Sequence, residues 1–341
     1  MASTSAAQEA VTRTAIIGCG GMARNHLRSM LADPRGTHVG VVCEPMAENY
    51  ELTCELFEEA GVAVPENVPD LDALLEGHAA DLDAVFIVTP HAMHHDHVVA
   101  SLDAGLDVLV EKPMVVSKEE AERVIAKRDE TGKLVTVAFQ GSLSPQIRWA
   151  SEQLHDGPYG RVLAISGTVW QSWKGLADGR WRLDPHVSGG GFMFDTGAHL
   201  MNTIADLAGE DFVEVAAWLN NDDMAVDIMA AAMGRLQSGT FVTIHGCGNA
   251  VKSCSSTIHV FAEKAHLKAC MWGRWVEVQE DGDEDFRRVE LPAMRTAWHR
   301  FLDVRAGRIE NPSPPEVGLR MLRLWDAIKE SAARNGQVVP C

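Results

Sequence analysis

At 341 residues the chain is longer than the ~250 at which a single hydrophobic core stops growing, so two domains are expected. Its 48 Asp and Glu against 30 Lys and Arg leave a net charge of −18 that repels polyphosphate backbones, and no Lys/Arg-rich run offsets it locally, which argues against nucleic acid as a partner. Seven cysteines, odd in number and never spaced C-x-x-C, speak against a disulfide frame or zinc ribbon and for reduced thiols in a cytoplasmic protein.

Residues 1–12 are small and polar, without the apolar stretch of a signal peptide, and are expected to form a tail. No later apolar run approaches the ~18 residues of a membrane span. From Arg13, short β-branched runs ("TAIIG", "HVGVVCE", "DAVFIVTP", "DVLVEKP", "LVTVAF") alternate with amphipathic segments of helical length. Continuously apolar strands separated by helices predict a doubly wound parallel α/β sheet over residues 13–140. Beyond it, residues 141–341 read as an α+β domain: one helix, a long strand ("RVLAISGTVWQSW"), a Gly-rich segment with a helix, then consecutive strand-like runs close enough for hairpins. That pattern predicts a large, open, mainly antiparallel sheet. Two helices close the chain, the last stopping at Gly336 and expected to pack back on the first domain.

Between the first strand and first helix, "GCGGMA" places Gly18, Gly20 and Ala23 as G-x-G-x-x-A, with Gly21 and Met22 inside the loop. The first glycine permits a tight turn, the second lets backbone approach a pyrophosphate, and the small third residue lets helix and strand pack closely. The phosphates then rest on the free N–H groups of the helix N-terminus. Glu44 ends the next strand, placed to accept hydrogen bonds from the adenine ribose hydroxyls, and Pro45, Met46 and Ala47 supply no cation for a 2′-phosphate. The expected cofactor is therefore NAD in preference to NADP.

The stretch "TPHAMHHDHVV" puts His91, His94, His95 and His97 within seven residues, after a strand ending in Thr89 and Pro90. On a helix His91, His94 and His95 share a face, a geometry that admits zinc. "VEKPM" places Lys112, after Glu111, at the C-terminal end of a buried strand, where open α/β sheets bind ligands and where Pro113 can adopt a cis peptide. In "SGGGFMFDTGAHL", Gly189 to Gly191 lead into a helix expected to carry Asp195 and His199 at i and i+4, the carboxylate holding the imidazole's tautomer and raising its basicity.

The order G-x-G-x-x-A, "EKP" and "GGG…D…GAH" resembles the Gfo/Idh/MocA family of glucose-fructose oxidoreductase, inositol dehydrogenase and related proteins, across the chain from Arg13. The resemblance implies a Rossmann domain followed by an open-sheet domain, with the active site between them. It makes Lys112, Asp195 and His199 the catalytic group, and it implies coenzyme contacts along Thr89, Pro90, His91, His94, Glu111 and Lys112. Trp181 and Arg182 match a segment bordering the sugar site, which with Gln140, Trp170, Lys112, Asp195 and His199 forms the implied substrate set. Trp170 and Trp173 offer indole faces for a sugar ring or, equally, core packing. Departures from the family pattern are Asn202 for an acid, Gly141 and Ser142 where arginine is frequent, and His91 for asparagine. Histidines 95 and 97 are left as solvated helix residues, and no metal is expected.

The activity this implies is NAD-dependent oxidation of a secondary alcohol of a sugar or cyclitol to a ketone, or the reverse. His199 takes the hydroxyl proton and Lys112 polarises the oxygen, or the two exchange roles. Readings kept beside it are an oxidation–elimination glycosidase using bound NAD, a non-catalytic dinucleotide sensor, and a zinc enzyme. An exposed face of the second sheet suits a homodimer or homotetramer, as in similar proteins.

Overall fold

The computed structural model describes residues 11–34, 36–293 and 295–341. The first sheet contains β1 (Thr12–Ile17), β2 (Thr37–Cys43), β3 (Glu66–Asn67), β4 (Ala84–Ile87), β5 (Asp107–Val110) and β6 (Val135–Val137), all parallel in the order β3-β2-β1-β4-β5-β6. The order reverses at β1, and the crevice beyond the carboxyl ends of β1 and β4 is where such sheets bind ligands. Both faces are covered, which is why β4 carries no polar residue: Val85 and Ile87 pack toward Val98, Leu102 and Val124, while Phe86 faces Leu27 and Phe57.

One covering helix comes from far along the chain. Ala297–Arg305 buries Trp298 and Phe301 against Phe86, and Trp298 Nε1 donates to Thr37 Oγ1 at 2.8 Å. It therefore completes the first domain, although its sequence lies within the second. The final helix, Pro315–Ala333, covers β8 (Phe212–Asn220) of the second sheet and also touches the first domain, where Arg128 holds Glu316 at 2.6 Å.

The second sheet adds β7 (Val162–Ser172), β9 (Met229–Leu236), β10 (Phe241–Cys247), β11 (Asn249–Ala262), β12 (Ala265–Ala269), β13 (Val276–Glu280), β14 (Arg287–Arg288) and β15 (Val339–Pro340). The order is β14-β13-β12-β11-β7-β10-β9-β8-β15, antiparallel except where β10 runs parallel to β7. One face (Ile165, Val169, Ile244, Ile258, Leu267) is buried; Gly167 on it lies beneath Leu200 and Ile204 of the Gly197–Ala208 helix. The opposite face leaves Trp218, Met233, Phe241 and Phe261 exposed.

Candidate active site

The glycine loop fits a dinucleotide. Gly18 has φ +87, donates its N–H to Cys43 O at 2.8 Å, and would place a Cβ 2.8 Å from Thr89 Cγ2, so only glycine suits the turn. A Cβ on Gly20 or Gly21 would meet nothing within 4 Å, which leaves this rim open. The Gly21–Ala32 helix starts with no side-chain cap and no acid in its first turn, so its free N–H groups await an anion. Ala23 is buried against the sheet, as its small size requires, and Met22 is exposed at the rim. Glu44 is buried just beyond β2. Its carboxylate braces the loop, taking the Cys19 N–H at 2.7 Å and the Met46 N–H at 2.8 Å. Arg24 lies on the same rim, its guanidinium donating to Cys19 O at 2.7 Å and Asn49 Oδ1 at 3.1 Å.

The histidine stretch divides by partner. His94 is wholly buried with Nδ1 2.9 Å from Pro113 O and Nε2 2.9 Å from Thr89 O, so it ties the loops after β4 and β5 together and turns neither nitrogen to the crevice. His91 crosses to the second domain: Nδ1 meets Ser188 O at 2.8 Å, its ring sits edge-on to Trp181 at 4.7 Å, and Nε2 stands 3.9 Å from Asp195 Oδ1. Burial pushes the His91 imidazole down to about 3. His95 and His97, both expected in solvent, are half-buried: His95 bonds Asp96 and Arg123, and His97 Nδ1 lies 3.1 Å from Thr89 Oγ1. Among the described residues no group of three or more His, Cys, Asp or Glu side chains is arranged to hold a metal ion.

Asp195 is the hub. Its Oδ1 accepts from Lys112 Nζ at 2.6 Å, and Lys112 also reaches the Asp195 carbonyl at 3.0 Å. Its Oδ2 accepts from Trp173 Nε1 at 2.9 Å and Arg182 Nε at 3.0 Å. Burial alone would push this carboxyl up; Lys112 and then Arg182 outweigh it and hold it well below the usual carboxylate range. The supporting structure is equally specific. Asp227 takes the Gly191 N–H at 2.7 Å and the Met193 N–H at 2.8 Å, capping the short Phe192–Asp195 helix. A Cβ on Gly191 would lie 1.9 Å from Asp227 O.

The expected Asp195–His199 pair does not form in this structure. The helix ends at Asp195 and a second one begins at Gly197, and three donors already occupy the carboxylate. His199 instead lies edge-on to Phe139 at 5.9 Å and tilted to Trp272 at 6.3 Å, its Nδ1 buried without a hydrogen-bond partner among the described residues. Burial first, and the Lys112 charge second, push its imidazole down to about 3, so the ring is neutral at pH 7.

The tryptophans separate. Trp173 leaves β7 for the next helix and donates to Asp195 instead of offering its face to a sugar. Trp170 points the other way: registered with Cys247 and Ser255, it lies on the open sheet face with Phe241 and away from Asp195, which removes it from the substrate set. Gln171, its neighbour, is on the site side and accepts from Thr196 Oγ1 at 3.0 Å. Trp181 carries the Arg182 guanidinium 4.4 Å from its ring centroid. Gln140 heads the short Gln140–Leu143 helix, half-buried. The departures at 142 and 202 share one network, Asn202 Nδ2 donating to Ser142 Oγ at 2.7 Å and Arg320 donating to Asn202 Oδ1 at 2.6 Å and Asp206 Oδ1 at 2.6 Å. At 141 an arginine has no room, since even a Cβ would lie 2.3 Å from Thr203 Oγ1.

Sequence reading missed His26. From the glycine-loop helix its Nε2 meets Glu111 Oε1 at 2.6 Å, and Glu111 Oε2 takes the Lys112 N–H at 3.0 Å. Glu111, expected at the coenzyme, thus directs its carboxylate to these two groups. Burial would raise that carboxyl; the His26 hydrogen bond and charge lead in lowering it to about 2.

A parallel sheet with an open glycine loop at its switch point, where Lys112 of the first domain meets Asp195 of the second near a neutral His199, is the arrangement of a two-domain dinucleotide-binding protein. The family model described as "Oxidoreductase family, NAD-binding Rossmann fold" matches residues 12–139, and the GFO/IDH/MocA C-terminal domain model matches residues 147–268. The chain belongs to the Gfo/Idh/MocA family. It is 34% identical over 143 residues to D-xylose 1-dehydrogenase (NADP(+)) of Haloarcula marismortui, an alignment spanning 41% of this chain but only 40% of that protein. It is 29% identical over 332 residues to dTDP-3,4-didehydro-2,6-dideoxy-alpha-D-glucose 3-reductase of Actinomadura kijaniata, covering 94% of this chain and 95% of that one. In fold it matches an inositol dehydrogenase homolog complexed with NAD+ from Azotobacter vinelandii, with a TM-score of 0.84 at 18% identity over 100% of both chains.

Proposed function

We propose that the chain is an NAD-dependent dehydrogenase that oxidises a secondary alcohol of a sugar or cyclitol to a ketone, or runs the reverse. The observation that carries this reading is Lys112 Nζ, fixed by Asp195 Oδ1 at 2.6 Å, acting on the buried His199 imidazole that is held neutral. A bound nicotinamide supplies the hydride acceptor. His199, held neutral, has the lone pair to accept the hydroxyl proton, while Lys112 donates a hydrogen bond to the same oxygen. Asp195 holds Lys112 Nζ in place, and Trp173 and Arg182 donate to its other carboxylate oxygen. Arg182 and Trp181, partly exposed beside Asp195, would meet substrate hydroxyls. The relatives named for xylose, a dideoxy-sugar and inositol support a polyhydroxylated ring as substrate.

Gly18, Gly20, Gly21, Met22 and Ala23 would cradle the coenzyme pyrophosphate, with Thr89 and Pro90 as the opposite wall. The buried Glu44 carboxylate at the end of β2 opposes a 2′-phosphate and supports NAD. Arg24 on the same rim favours a second reading, NADP. We assign dimer or tetramer formation to the exposed face of the second sheet, and a cytoplasmic location, as parts of the same proposal. The test is an absorbance screen of the full chain with NAD and NADP against sugars, inositols and their keto forms. NAD reduction by a polyol upholds the reading; aglycone release without added coenzyme, or tight binding without turnover of any polyol, overturns it.

A further inference from the structure

The helix whose N-terminus would receive the coenzyme phosphates buries Ala23, Leu27 and Met30 as its inner stripe, and in the middle of that stripe stands a histidine, His26. An apolar side chain would pack there at no desolvation cost. Instead His26 reaches a second buried polar group, Glu111, at 2.6 Å, with its ring 4.8 Å from Phe86. A buried hydrogen-bonded pair of this kind gains little net stability over an apolar replacement, so stability alone does not account for it. Glu111 provides one, because its other oxygen accepts the N–H of Lys112 at 3.0 Å. Its own N–H is fixed to Ile87 O at 2.9 Å, which leaves the carboxylate a defined reach.

We propose that His26 is a positioning residue for Lys112: its Nε2–H holds the Glu111 carboxylate, and that carboxylate holds the Lys112 amide. Two hydrogen bonds thereby join the helix that opens on the coenzyme phosphates to the active-site lysine. The consequence for turnover rests on the dehydrogenase reading; the linkage itself does not. The charged and titratable groups facing Glu111 are His26, Lys112, His199 and His94. Removing His26 leaves a buried carboxylate with only the lysine side still supporting its charge.

The test compares His26→Leu, His26→Gln, Glu111→Gln and the double variant His26→Leu/Glu111→Gln by two readouts. The first is the thermal midpoint of the full chain without coenzyme at pH 8. His26→Leu strands the buried Glu111 carboxylate, so it lowers the midpoint by more than the same change made in the Glu111→Gln background. The second is steady-state kinetics: His26→Leu lowers kcat roughly ten- to a hundredfold with coenzyme KM changed far less, and the acid limb of its profile moves up in pH. His26→Gln, which keeps a donor, recovers most of the loss. Equal midpoint losses from His26→Leu in the wild-type and Glu111→Gln backgrounds, or a kcat and pH profile unmoved in folded His26→Leu, overturn the proposal. If the wild type turns over no polyol, the dehydrogenase reading fails while the midpoint series still decides the linkage.

Discussion

Asp195→Asn tests the hub of the site without changing its volume. The amide keeps one acceptor oxygen but turns an NH2 group toward Lys112 or toward Arg182 and Trp173, which all donate. Removing one partner of a buried ion pair costs about 3–5 kcal/mol. The Arg182 side chain is 29% exposed and can return part of its charge to solvent, so the lower end applies. At roughly 2 °C per kcal/mol for a chain of this size, the thermal midpoint should fall by about 6 °C. Because Asp195 is held well below its ordinary range, its contribution is complete above the unfolded value of about 4 and is lost as pH falls further. The deficit should therefore be constant from pH 8 to pH 5 and shrink below pH 4. In the kinetics kcat should fall roughly a hundredfold, because Lys112 loses the carboxylate that fixes its Nζ. The assays are calorimetry across that pH range and initial rates on the best polyol substrate. An unchanged midpoint together with an unchanged kcat would refute the hub assignment.

Glu44→Ser should weaken NAD binding roughly tenfold and narrow the NAD to NADP ratio of kcat/KM, by loss of the loop brace and of the charge opposing a 2′-phosphate; an unchanged ratio would contradict that role. Gly191→Ala forces Asp227 and the Phe192–Asp195 helix apart, so kcat should drop while NAD affinity, measured by fluorescence titration, stays near wild type. Trp298→Ala removes the side chain with which the late helix seals the first sheet, and should cost about 3–5 kcal/mol in denaturant unfolding.

Much of this was legible in the sequence because local signals decide it. Short apolar runs such as Ala84–Ile87, alternating with helical segments, read as strands buried on both faces, and the positive φ at Gly18 calls for glycine. Lys112 and Asp195 were found because each sits beside a distinctive local pattern, yet their bond spans 83 positions and needed the fold. What failed was any inference carried through an assumed continuous element. The i, i+4 argument for Asp195 and His199 assumed one helix, and the break at Thr196 gave the carboxylate to Lys112, Trp173 and Arg182 instead. Trp170 and Trp173 were paired by proximity, but strand alternation sends the first to the open face and the chain leaves β7 before the second. His26 carried no signal, since its partner lies 85 positions away, and the return of Ala297–Arg305 to the first sheet is a tertiary choice its amphipathic pattern does not specify.

The most direct measurement is NAD reduction by the wild type, Lys112→Met and His199→Ala on the polyol selected by the screen, with NAD binding titrated in parallel. The assignment predicts that both variants bind NAD nearly as the wild type does and lose at least about a hundredfold in kcat, the size of general acid–base catalysis. Turnover close to wild type in either variant would contradict it.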